Sequence, residues 1–390
     1  MGFLRLLLAL AVVCWHAGSF LGMPLMPGDL AVEAFFVISG FYMALILNTK
    51  YVGPGSYGLF LSNRLLRIFP TYWLVLAATF VTCLALQAST GHSQLSLYRQ
   101  PLPTSTLLAL TAAQVFIVGQ DLVRFLGLNP DGSLYLAKNY YSSPSPTPFS
   151  FLLVGQAWTM SLELMFYAIA PFLVRKGARA MAGWVAASLL VRAILYFGLG
   201  LQFDPWKCNF FPSELALFMS GAIAFRLLER LRTIELPRGA SAAVSVVLLA
   251  ISAGYGVLPM PQMRGAIHVK SLGYLSLVTV ALPFLFRWSG KSGFDRAVGD
   301  LSYPVYLLHS LVITVLDGTL TPGATAFLRA NGLNSLVVFA VSVAGSLAII
   351  HALINPLERY RQSRVERFDS PRGVPAPAID FVVFGESARH

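Results

Sequence analysis

Charge is what this sequence has least of. Only 12% of its 390 residues are Asp, Glu, Lys or Arg, about half the share of a soluble domain. Hydrophobic residues make up 56%, and that balance points to an integral membrane protein. Acidic residues are scarcer than basic ones, 17 against 28. Such an excess would suit nucleic acid, but here the Lys and Arg sit in short clusters between apolar runs. That is the pattern of cytoplasmic loops of a membrane protein, so no nucleic-acid partner is expected. Cysteine is nearly absent. Cys14, Cys83 and Cys208 form neither an even-numbered framework nor a metal-ligand spacing, so neither disulfides nor a bound metal is expected. No fixed-period or inverted repeat is visible, which disfavours a transporter.

Apolar runs are what the chain has in abundance. A span needs about 20 mostly apolar residues, and ten segments qualify: 3–23, 29–48, 70–88, 150–173, 181–200, 210–229, 240–258, 269–287, 300–317 and 333–354. The first resembles an export signal, but its lack of a cleavage pattern, with Trp15 and His16 inside the run, makes it the first span. With the N-terminus inside, the basic clusters at 64–67, 175–179, 226–238, 287–296 and 359–367 all fall on the cytoplasmic side. Segment 105–123 cannot cross fully without turning those clusters outward. The sequence therefore predicts an all-α polytopic membrane protein of about ten transmembrane helices. Both termini are cytoplasmic, and one extra segment is re-entrant or peripheral. Residues 1–360 form a single transmembrane domain, and 361–390 a short, largely disordered cytoplasmic tail. A multi-pass protein of the bacterial cytoplasmic (inner) membrane is expected.

Ionisable groups inside spans are costly and mark function. Arg5 and His16 are eleven helical steps apart, about three turns, so they share a face about 16 Å apart along the axis. With Arg5 at the inner headgroups, His16 falls near the middle of the hydrocarbon. A neutral imidazole there suits a general base; packing against a neighbouring helix is the other reading. Glu33 opens the second span and needs a cationic or imidazole partner; an interfacial position is its alternative. Arg64 and Arg67, at i,i+3, place two guanidinium groups on one side of a turn, a clamp for phosphate or plain anchoring. Glu163 and Glu214 lie near outer span ends, where a carboxylate binds hydroxyl groups or reaches water. Tyr303, Tyr306 and His309 line one side of a helix or form an interfacial belt. His351 reads as packing.

In their order along the chain these pieces resemble the membrane-bound acyltransferase-3 family, bacterial O-acetylases of cell-surface sugars. The resemblance runs from Arg5 to about Pro356. Arg5 and His16 match the family's Arg-x10-His. Phe35-Phe36-Val37-Ile38-Ser39-Gly40-Phe41 matches its Phe-Phe-x-x-Ser-Gly stretch, and Arg64-x-x-Arg67-Ile68-x-Pro70 its basic turn. Trp158 to Tyr167 is similar to its Trp-Ser-Leu-x-x-Glu segment. Phe211-Pro212 with Glu214, and Ser302 to His309, match softer signatures. Two positions depart from the pattern: Ala31-Val32-Glu33 replaces Gly-x-Asp, and Asn355-Pro356 lacks the usual Glu.

The resemblance implies acyl-CoA, most often acetyl-CoA, as donor substrate, with no resident cofactor. It implies a glycan or lipid-linked sugar as acceptor. In that frame His16, Glu33 and Arg5 are the catalytic candidates, with Glu33 orienting His16. Arg64 and Arg67 are the donor-binding candidates, and Glu163, Tyr303 and His309 shape the acceptor side. The competing class is a transporter or flippase of a lipid-linked sugar, which would also want buried Arg, Glu and His.

Overall fold

The computed structural model describes residues 1–259 and 269–369. Helices α1 (Gly2–Ala17), α2 (Gly28–Thr49) and α3 (Ser56–Thr90) open the chain. A long connection follows, carrying α4 (Thr104–Phe116), α5 (Gln120–Val123) and a hairpin of β1 (Leu126–Leu128) with β2 (Leu134–Leu136). Then come α6 (Trp158–Leu173), α7 (Ala178–Ala193), α8 (Phe211–Leu231), α9 (Ala240–Gly254) and α10 (Val269–Ser289). The chain continues through α11 (Gly293–Asp300), α12 (Ser302–Thr319), α13 (Pro322–Ala330), α14 (Asn334–Ile349) and α15 (Asn355–Asp369).

Eight of the described helices are long and apolar enough to cross a membrane. With α1 and α6, at 16 residues each, they account for all ten expected spans. Each of those two is about 24 Å long, a little short of the ~30 Å hydrocarbon thickness.

Two boundaries, the start of the third helix and the start of the tail, differ from expectation for physical reasons, whereas segment 105–123 behaves as expected. The third helix starts at Ser56 rather than at residue 70, so Arg64 and Arg67 lie inside it and not in a turn before it. Hydropathy marks only the part of a helix that meets lipid, and a helix can continue beyond it. Pro70 also sits within this helix, as membrane helices tolerate. Segment 105–123 does not cross. Its helix stops after 13 residues at Ile117, where φ is +63°, and it docks on α3 and α6. The Tyr72 hydroxyl donates to the Gln114 carbonyl at 2.5 Å, the Trp73 indole to Val115 at 2.9 Å, and the Gly119 amide to Ser161 Oγ at 3.0 Å. Finally, the expected disordered tail does not begin at 361. A π-helical turn, Ile350–Ile354, joins α14 to α15, which continues to Asp369. Residues 370–390 lie outside the described region.

α2 is the hub, with most of its side chains buried, and it packs most extensively on α8. Two glycines set how close they come. A Cβ on Gly40 would lie 1.8 Å from the Phe218 carbonyl oxygen, and one on Gly221 would lie 1.9 Å from that of Val37. Small residues that let backbones touch are the usual basis of helix association in membranes. Both ends of α1 are fixed by polar groups. Asp295 accepts from the Gly2 and Phe3 amides at 2.8 and 3.0 Å, a carboxylate on the positive end of a helix. Asn334 donates to the Ala17 carbonyl at 2.9 Å, which steadies the turn that carries His16.

Candidate functional site

Between α1, α2, α3, α6, α12 and α15 lies a cavity of about 290 Å³. Six cationic side chains line it (Arg5, Lys50, Arg64, Arg67, Arg296, Arg361), against three carboxylates (Glu163, Asp300, Glu358). Its rim is set by helix ends: Lys50 just past α2, Arg64 in the early turns of α3, and Asn355, Glu358 and Arg361 of α15. Further in lie Arg67 and Arg5, then Ser39, Tyr42 and the apolar Phe35, Phe36, Val32 and Met160. Thr159 and Tyr306 close the far end, their hydroxyls 2.9 Å apart, with Tyr306 also donating to the Gln156 carbonyl at 2.8 Å.

The arginines are the chemically open groups. The side chains of Arg5, Arg64 and Arg67 make no hydrogen bond or ion pair with any described residue. Arg64 is only 6% exposed, and its Nε is buried without a partner. Guanidinium groups that outnumber the carboxylates of the same cavity and are not paired with them are poised for a multiply charged oxyanion.

The expected acceptor residues separate. Glu163 and Tyr303 line the same cavity as the arginines. Glu163 accepts from the Tyr167 hydroxyl at 3.0 Å, and Tyr303 donates to the Ile68 carbonyl at 2.7 Å. His309 instead lies beyond the closed end, fully buried. Its ring centroid is 5.8 Å from that of Tyr306 and 5.2 Å from that of His16. Nδ1 of His309 sits 2.6 Å from the Tyr306 carbonyl. A carbonyl can only accept, so this nitrogen carries the proton and Nε2 is left with a lone pair.

His16 does not line the cavity. It is exposed in the last turn of α1, rather than enclosed at mid-depth, because the helix ends at Ala17 instead of running to residue 23. The charge acting on it comes from Arg124. That guanidinium stacks on Phe149 at 4.6 Å and Tyr140 at 4.9 Å and pairs with Asp204 at 3.5 Å.

Glu33 does not hold His16. Its carboxylate faces Arg192 of α7 at 3.7 Å, and Arg192 also grips Glu214 of α8 at 2.5 Å. Both carboxylates are buried, so one cation holds three helices together. Arg192 inside an apolar run was the available signal for this cluster. Arg192→Ala would leave two buried carboxylates uncompensated, a loss of about 3–5 kcal/mol. Thermal unfolding of the purified variant in detergent should show a clearly lowered Tm; an unchanged Tm would mean the cluster carries no stability. Among the described residues no group of His, Cys, Asp and Glu has the arrangement of a metal site.

A family model described as an acyltransferase domain matches residues 1–352. The chain belongs to that acyltransferase family. This acyltransferase is 28% identical over 366 residues to the exopolysaccharide production protein ExoZ of Rhizobium meliloti (strain 1021), covering 90% of the chain and 96% of that relative. It is 26% identical to acyltransferase MdmB of Streptomyces mycarofaciens, covering 90% of the chain and 87% of the relative. It is also 26% identical to nodulation protein 10 of Rhizobium leguminosarum bv. viciae, covering 73% and 72%. No solved structure gives a match. The acyltransferase is a multi-pass membrane protein.

Proposed function

We propose that the protein moves an acyl group, acetyl in the first instance, from cytoplasmic acyl-CoA to a hydroxyl of a cell-surface or lipid-linked glycan. The observation that carries this reading is the cavity, with its excess of cations and three unpartnered guanidinium groups. CoA is a soluble thioester donor with several phosphates. The rim lies at the strongly basic end of the bundle, the cytoplasmic end by the positive-inside rule, in a bacterial inner membrane. The apolar inner half suits the acyl arm. A relative named for exopolysaccharide production supports a glycan acceptor.

The thioester carbonyl would lie at the Thr159–Tyr306 end, with the acceptor hydroxyl arriving from the His16 side. As the hydroxyl oxygen bonds to the carbonyl carbon, His16 takes its proton. The carbon–sulfur bond then breaks, and the proton passes to the departing thiolate, so CoA leaves as the free thiol. His309 and Tyr306 are the layer between the cavity and His16, and this layer must yield for the two substrates to meet. Arg64 and Arg67 hold the phosphates.

Thiol release by the purified protein, given acetyl-CoA and a membrane glycan fraction, tests this. Wild type should release thiol in step with acceptor. Arg64→Ala with Arg67→Ala should lower kcat/KM for the donor by about a hundredfold, two charge-assisted contacts being lost. Release that is absent in wild type, or unchanged in the double variant, rules the reading out.

A further inference from the structure

We infer that the C-terminal helix α15 is part of the donor site, and that Arg361 binds the outermost phosphate of the donor, the 3′-phosphate of CoA. The inference rests on the acyl-CoA reading above. Nothing in the apolar pattern pointed to it, because α15 lies past the last span and is polar.

Arg361 lines the arginine cavity, is 6% exposed, and has a buried Nε without a hydrogen-bond partner. Arg64 shares all three properties. Two nearly buried guanidinium groups, each with an unpartnered donor, therefore line one space from two adjoining helices, α3 and α15. Unpartnered buried donors are costly, and an oxyanion between them would satisfy both. Among the described residues the carboxylate that Arg361 pairs with is Glu358, one turn back on the same helix. Glu358 also accepts from Gln362 at 3.2 Å, so it is not committed to Arg361 alone and can give way to a phosphate.

The wall is held in register. Arg364 donates to Asn63 Oδ1 and to Ser62 Oγ, both at 2.8 Å, and Asn63 donates to the Tyr51 hydroxyl at 3.1 Å and to the Arg361 carbonyl at 3.4 Å. These bonds fix the Arg361 backbone against the turn that carries Arg64. The position within the cavity decides which phosphate is met. Arg361 and Lys50 are at the rim, whereas Arg67 and Arg5 are deeper. A donor threaded thioester-first puts its diphosphate by the deeper pair and its 3′-phosphate at the rim.

The test compares acetyl-CoA with acetyl-dephospho-CoA, which lacks only the 3′-phosphate, as donors for the purified full-length protein. Wild type should prefer acetyl-CoA by about tenfold in kcat/KM, the scale of one charge-assisted contact. Arg361→Ala should bring that preference close to one by slowing acetyl-CoA alone, and Arg361→Lys should keep part of it. A purely structural loss would slow both donors equally and leave the ratio intact. Should the alanine variant fail to reach the membrane, Arg361→Gln, which keeps the length and loses the charge, gives the same ratio. A wild-type preference retained in Arg361→Ala or Arg361→Gln, or no preference in wild type, overturns the inference while leaving acyl-CoA as donor. Failure of the wild type to turn over either thioester would instead remove the donor reading itself.

Discussion

His16→Ala is expected to lower kcat for acyl transfer by about a thousandfold, the usual range for losing a general base, with the donor KM nearly unchanged. The split follows from the geometry. His16 lies outside the arginine cavity, separated from its closed end by the Tyr306 and His309 rings. Donor binding therefore does not depend on it, whereas deprotonating an incoming hydroxyl does. A neutral sugar hydroxyl is a weak nucleophile, and the Arg124 guanidinium, whose charge acts on His16, cannot accept a proton. Steady-state kinetics at saturating acceptor separate the two parameters. If His16→Ala kept wild-type kcat, His16 would have no part in the chemistry. If it raised only the donor KM, His16 would belong to donor binding instead.

The second large effect is on folding. Gly40→Val or Gly221→Val should prevent assembly of the bundle and leave little protein in the membrane. The added carbons cannot be absorbed by a rotamer change, because they would meet the carbonyl oxygens of Phe218 and Val37 at under 2 Å. The α2–α8 pair would have to separate, at a cost above the roughly 1–3 kcal/mol of ordinary overpacking. Separation would also pull Glu33 and Glu214 off Arg192. Membrane levels and detergent-extracted Tm report the outcome. A valine variant with wild-type Tm would show that the helices do not meet through these glycines. The same experiment bears on the Phe-Phe-x-x-Ser-Gly stretch, in which Gly40 then acts through packing rather than chemistry.

The spans were legible because a membrane imposes a length on every helix that crosses it, and the ten apolar runs match ten helices in order. What the runs could not show is where helices continue past the lipid. α3 extends back to Ser56 and α15 forward to Asp369, and both extensions carry cavity residues. Helical periodicity predicts a shared face for Arg5 and His16, but it could not say that only Arg5 lines the cavity. The partner of Glu33 was not, since it depends on which helices become neighbours, and α7 and α8 supplied Arg192 and Glu214 where His16 had been expected. Tyr303 and His309 show a related limit. Six residues of helix span about 9 Å, enough to put one in the cavity wall and the other beyond its closed end. Spacing put them on one side of a helix but did not say that this side passes from one compartment of the site to another.

The most direct test of the account is the transfer of isotope-labelled acetyl from acetyl-CoA, supplied on the cytoplasmic side of sealed inside-out vesicles. Wild-type vesicles should place the label in alkali-labile esters on the glycan fraction, and vesicles carrying Arg64→Ala with Arg67→Ala should place almost none. Label that stays in CoA with wild-type protein and a competent glycan present, or that reaches the glycan equally in the double variant, would contradict the account.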